Sequence, residues 1–135
     1  MIKSLLILLL LLSNLTAKDN YELKLFEKVI PLIFDSKIIN VYVDSDTQEI
    51  IEESTILHIR DNCDEIDLII SKKELENIRC KDIPLFATSL NAYKDSKNSI
   101  GAFYWRKGRP QLKLNAEIIK KFNLNLPKSL EKYAK

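Results

Sequence analysis

Apolar residues at Leu23, Phe26, Val29, Ile30, Ile33 and Phe34 recur with the helical period and predict an amphipathic helix from Tyr21 to Phe34. Asp19 or Asn20 would cap it, and Pro31, which has no N–H to give, predicts a kink or an earlier end. The pattern then changes. Lys37 to Val43 is rich in β-branched residues and predicts a strand entering a polar turn at Asp44-Ser45-Asp46. A short helix from Thr47 to Glu53, a strand from Ile56 to Ile59 and a loop from Asn62 to Glu65 follow. Asp67 to Ile70 starts a third strand, in which Leu68-Ile69-Ile70 lacks alternation and so predicts a strand covered on both faces. Ser71 is placed to cap a helix from Lys72 to Ile78, Pro84 to Thr88 makes a fourth short strand, and Asn91 to Lys94 a helical turn.

The densest pattern lies between Ile100 and Asn115. Two apolar runs flank Arg106-Lys107-Gly108-Arg109, which predicts a β-hairpin with Gly108 available for a positive-φ position. In the first strand Phe103 and Trp105 share one face and Tyr104 takes the other; in the second, Leu112 and Leu114 point in while Gln111 and Lys113 point out. Asn115 sits where a helix from Ala116 to Phe122 needs a cap, and Pro127 suits the first turn of a last helix. Strands alternating with helices, then a hairpin, define the α/β class: a single-domain sandwich with a mixed sheet flanked by helices, ending in a C-terminal β-hairpin plus helices.

The N-terminus adds a destination. Lys3, an apolar run from Leu5 to Leu12 and a short polar stretch ending at Ala17 have the form of a secretory signal peptide over residues 1–17. The run falls well short of the roughly 20 apolar residues of a membrane helix, which favours a cleaved signal over an uncleaved anchor and leaves no stable membrane anchor after cleavage. No cysteine follows at the cleavage position to support a lipid anchor. The expected product, residues 18–135, has the size of one domain and is placed in the periplasm or beyond it. Lys and Arg total 21 against 19 Asp and Glu, so no global charge excess argues for nucleic acid.

Cys63 and Cys80 are the only cysteines, and an even count in an exported small domain favours one disulfide, worth roughly 3 kcal/mol for a loop of this length. Two separately buried thiols are the alternative. Their spacing is not the Cys-x-x-Cys of a redox pair, and with one histidine they give too few ligands for structural zinc. His58 is the only histidine and falls within an expected strand, so no catalytic set assembles around it. Gly101 and Gly108 are the only glycines, which excludes a Gly-rich phosphate loop and points to no nucleotide cofactor. The acidic stretches Asp44-Ser45-Asp46 and Asp61-Asn62-Cys63-Asp64-Glu65 lack the glycine and distal glutamate of a calcium loop and read as solvated turns, with no metal. What remains for function is the hairpin. Aromatics and arginines are enriched where binding energy concentrates, so Tyr104, Trp105, Arg106 and Arg109 are the candidate partner-binding residues.

From Cys63 onward the chain resembles the small periplasmic YfiR-like proteins. The resemblance is carried by Cys63 with Asp67 to Ser71, then Pro84 to Ser89, Ile100-Gly101-Ala102-Phe103, Lys107-Gly108-Arg109, Leu112 to Asn115, and Leu124, Leu126, Leu130 and Ala134. Within that motif Gly101, Gly108 and Asn115 are backbone devices. The resemblance implies a non-enzymatic periplasmic regulator that binds an inner-membrane signalling protein, such as a diguanylate cyclase, and restrains it; homodimerisation is implied in the same way. A redox or small-molecule signal at the Cys63–Cys80 bridge or elsewhere would fit that role. The alternative is a small periplasmic solute-binding module, like one lobe of a substrate-binding protein.

Overall fold

The computed structural model describes residues 21–73, 80 and 82–134. The expected signal peptide and most of the expected helix from Lys72 to Ile78 lie outside these residues. Helix α1 covers residues 21–34 and buries Phe26, Val29, Ile30 and Ile33, each at most 3% exposed. It continues through Pro31 because the proline falls in its last turn, where the ring costs one backbone bond. Asp35 closes the helix in the left-handed region at φ 48°, and Ser36 N–H donates back to the Pro31 carbonyl at 3.3 Å, a Schellman closure made without glycine.

Strand β1 (Ile39–Val43) begins later than its β-branched run because Ser36 Oγ donates to the Ile38 carbonyl at 2.8 Å and holds a turn there. Helix α2 (Ser45–Ile51) begins earlier than its apolar pattern because Asp44 is its N-cap: Oδ1 accepts the Thr47 N–H at 2.9 Å. Strand β2 (Leu57–Ile59) and a 3-10 turn (Cys63–Glu65) capped by Asn62 lead into β3 (Leu68–Ser71). Then come β4 (Leu85–Ala87), α3 (Leu90–Asp95) capped by Ser89, and the hairpin strands β5 (Ser99–Arg106) and β6 (Arg109–Leu114). Asn115 caps α4 (Ala116–Lys121) as its position predicts, accepting the Ile118 N–H at 3.2 Å. The last element (Lys128–Tyr133) is a 3-10 helix rather than an α-helix. Pro127 offers no side-chain acceptor to hold an α-turn, and the chain tightens onto bonds such as Leu130 N–H to the Pro127 carbonyl at 2.9 Å.

The six strands form one mixed sheet in the order β2-β1-β3-β4-β5-β6, parallel from β2 to β5 and antiparallel between β5 and β6. The α/β class and the terminal hairpin therefore follow the sequence pattern. On one face the α1 side chains meet Ile39, Val41, Leu68, Ile70 and Phe86, and Phe26 sets its ring edge-on to Phe86 and Phe103 at 5.8 and 5.9 Å. Each such buried side chain contributes about 1.5–3 kcal/mol, which makes this face the seat of stability. On the other, Ala87, Ala92, Ala102 and Tyr104 pack with Leu90 and Tyr93 of α3, and the small alanines let the helix lie close to the strands.

Gly101 marks a break in strand periodicity. The β4–β5 register shifts between Leu85, paired with Ser99, and Phe86, paired with Gly101, so Ile100 is an extra residue in β5. Ile100 joins the main core while Ala102, two residues on, joins the other face. A Cβ at position 101 would lie 2.7 Å from Leu114 Cδ2 and 2.8 Å from the Lys113 carbonyl oxygen. Cys63 and Cys80 are disulfide-bonded, with Cα atoms 5.2 Å apart, in the segments leading into β3 and β4. Among the described residues no helix is long and apolar enough to cross a membrane.

Candidate functional site

Where β5 turns into β6, the chain uses two residues only. Lys107 at φ 52° and Gly108 at φ 76° both take positive φ, the signature of a type I′ turn, whose twist matches that of the flanking strands. The sequence pattern anticipates Gly108 in this role; Lys107, which carries a Cβ, it does not. The register that follows sets Arg106 directly opposite Arg109, Trp105 opposite Pro110 and Tyr104 opposite Gln111. Arg106, Lys107, Gly108 and Arg109 are all exposed, so three cationic side chains project from one tight turn.

Behind the tip, Trp105 is half-buried and tethered to α1. Its indole Nε1–H donates to Glu22 Oε1 at 2.5 Å, and its ring lies 5.9 Å from Tyr21 and 5.7 Å from Phe103. Tyr104 points to the opposite face and is only 8% exposed. Beside it, burial pushes up the Tyr93 hydroxyl pKa, with a smaller push from Tyr104. Of the four residues that composition nominates, Arg106 and Arg109 are thus fully displayed, Trp105 partly, and Tyr104 only through the groove beneath it.

That groove, of about 660 Å³, opens at the carboxyl ends of β3, β4 and β5, the end at which open parallel sheets bind their ligands. Lys72 follows β3, Thr88 and Ser89 follow β4, Lys94 comes from α3 and Arg106 from the end of β5. Its floor is stitched by hydrogen bonds across strand ends: Thr88 N–H to the Ser71 carbonyl at 2.9 Å, and Ser89 Oγ to the Lys72 carbonyl at 2.7 Å. Asp44, at the end of β1, completes the framework. One oxygen caps α2, and the other accepts the Lys72 N–H at 2.7 Å and the Ser71 hydroxyl at 3.3 Å. Burial raises the Asp44 pKa, but these donors together outweigh it and hold the carboxyl below its ordinary value.

Both Asp44 oxygens accept hydrogen bonds from the chain itself, so within the first acidic stretch Asp44 acts as a brace. In the second stretch Asn62 Oδ1 accepts the Asp64 N–H at 3.2 Å as a cap. Among the described residues, no group of three or more His, Cys, Asp or Glu side chains is arranged to hold a metal ion. His58 lies in β2 with Nε2 3.1 Å from the Thr55 carbonyl oxygen, a local contact. Lys72, Thr88, Lys94 and Glu22 escape a reading of the sequence because they are far apart along the chain, and no local spacing connects them.

No protein-family model matches this chain, and no curated protein matches it.

Proposed function

We propose that the chain is a non-enzymatic periplasmic regulator that binds an inner-membrane signalling protein, such as a diguanylate cyclase, through the tip of the β5–β6 hairpin. The observation that carries this reading is the Arg106–Arg109 pair. Like charges placed directly opposite in an antiparallel ladder destabilise it, and among the described residues neither arginine forms an ion pair. An acidic surface on a partner would relieve that repulsion at the moment of contact. The resemblance to YfiR-like proteins and the expected signal peptide support the compartment and the class of partner, and the disulfide is compatible with an oxidising compartment.

Regulation would follow from differential affinity. A partner held more tightly in its inactive conformation is shifted toward it by the free-energy difference between the two complexes. The rigid I′ turn suits this, because a preordered tip loses little freedom on docking. The test is capture of membrane signalling proteins from solubilised inner membranes by the tagged chain, compared with the Arg106→Ala/Arg109→Ala variant. Capture by the native chain and its loss in the double variant is the expected result. Equal capture by both, or no signalling protein captured, would overturn the reading.

A further inference from the structure

Three cationic side chains from three separate elements, Lys72, Lys94 and Arg106, line the groove at the carboxyl ends of the parallel strands, and among the described residues no carboxylate lines it with them. Among the described residues none of the three forms an ion pair. Their positive charge is therefore gathered on one groove and is left uncompensated among the described residues. The space is not purely polar. Tyr104 and Trp105 form part of its wall and Thr88 adds a hydroxyl, the mixture of apolar lining and a few placed polar groups that marks small-molecule sites. Its volume, about 660 Å³, lies inside the range of such sites.

A smaller recess of about 220 Å³ adjoins the groove and shares Lys72, Thr88, Tyr104 and Trp105 with it. It also contains Glu22 and Asp46. These carboxylates repel an anion from the recess and favour an anionic head at the Lys94–Arg106 end, with Tyr104 beside it for the rest of the ligand. We propose that this groove binds a small organic anion, with a phosphate or carboxylate head held by Lys94 and Arg106 and a planar body against Tyr104. The site shares Arg106 with the proposed partner contact, while Lys72 and Lys94 lie outside the hairpin tip and belong to the groove alone.

Trp105 is the only tryptophan and reports on its own surroundings. The full chain is titrated with phenyl phosphate, with benzoate and with neutral benzamide while Trp105 fluorescence is followed. A saturable change with either anion is expected, together with a loss of affinity of about tenfold or more in Lys94→Gln, the scale of one charge-assisted contact. Saturation with phenyl phosphate alone identifies a phosphate monoester, with benzoate alone a carboxylate, and with both a general anion site. No saturation with either anion, equal response to benzamide, or unchanged affinity in Lys94→Gln would overturn the proposal. Lys94 is exposed, so its substitution leaves the fold intact, and Lys97→Gln, at an exposed lysine absent from the groove lining, provides a control variant that keeps ligand binding.

Discussion

Glu22 and Trp105, 83 residues apart, are joined by a 2.5 Å hydrogen bond from the indole N–H to a carboxylate oxygen. The bond fastens the first helix to the base of the hairpin. Glu22→Ala should lower stability by about 1.5 kcal/mol, the lower end for a bond to a charged group, while Glu22→Gln, which keeps an acceptor, should cost less. Denaturant unfolding followed by Trp105 fluorescence distinguishes them; equal losses in the two variants would mean that the bond contributes nothing specific.

The two glycines should respond differently to the same change. Gly101→Ala drives a methyl group to within 3.0 Å of Leu114, Phe86 and the Lys113 backbone, and overpacking of this kind costs about 1–3 kcal/mol. Gly108 has open space around it, so Gly108→Ala meets only the penalty of its φ of 76°, about 1–2 kcal/mol, and Gly108→Asn should cost still less. Thermal unfolding of the three variants gives the order, and a Gly108→Asn as damaging as Gly108→Ala would contradict the I′ assignment.

Asp44 makes stability depend on acid pH. Its carboxyl titrates lower in the folded chain than its ordinary value of 3.8, so its contribution is fully present above that value and is lost as pH falls through the lower, folded one. Asp44→Ala removes a cap and a strand-to-strand brace and should cost about 1–2 kcal/mol at neutral pH. That deficit should shrink as pH drops below 3.8, and a gap between native chain and variant that is constant down to strongly acid pH would rule out the linkage.

Reduction of the Cys63–Cys80 bridge, or its replacement by serines, should lower stability by roughly 3 kcal/mol through the freed loop. The bridge joins segments leading into the amino ends of β3 and β4, whereas the hairpin tip lies beyond the carboxyl end of β5, which runs parallel to them. Trp105 emission should therefore stay constant under conditions that keep the reduced chain folded. A shifted emission in that folded, reduced chain would instead couple the bridge to the tip.

Arg109→Glu turns a repulsive cross-strand pair into an attractive one and should stabilise the hairpin by about 0.2–1 kcal/mol, most at low ionic strength. The same change should abolish partner capture. A variant that is stabler yet inactive would assign the arginine pair to binding, while a destabilised one would show that the pair is not a liability.

The elements that can be read from the chain are those whose signal is local. Leu112 and Leu114 alternate as their strand requires, Asn115 caps where a cap is needed, and the six apolar positions of α1 share one helical stripe. Boundaries moved where a side chain hydrogen-bonds its own backbone, as at Ser36 and Asp44, because hydropathy is blind to such bonds. The bulge at Ile100 and Gly101 is also invisible in the pattern, since it depends on where Phe86 and Leu114 arrive from other strands. The arginines of the tip stand out in the sequence. The groove does not, because Lys72, Lys94 and Arg106 meet only after β3, β4 and β5 have paired.

Pro110 has a consequence for how any partner can approach. In a two-residue hairpin the Arg106–Arg109 pair is the hydrogen-bonded one, so the next pair, Trp105–Pro110, turns its backbone outward, and β6 ends the sheet among the described residues. At that outward position Pro110 has no N–H to offer, and Arg109 and Lys113 set positive charges along the same border. An incoming strand would find a missing rung and a like-charged rail. The border resists edge-to-edge aggregation, and recognition on this side must proceed through side chains rather than by extension of the sheet.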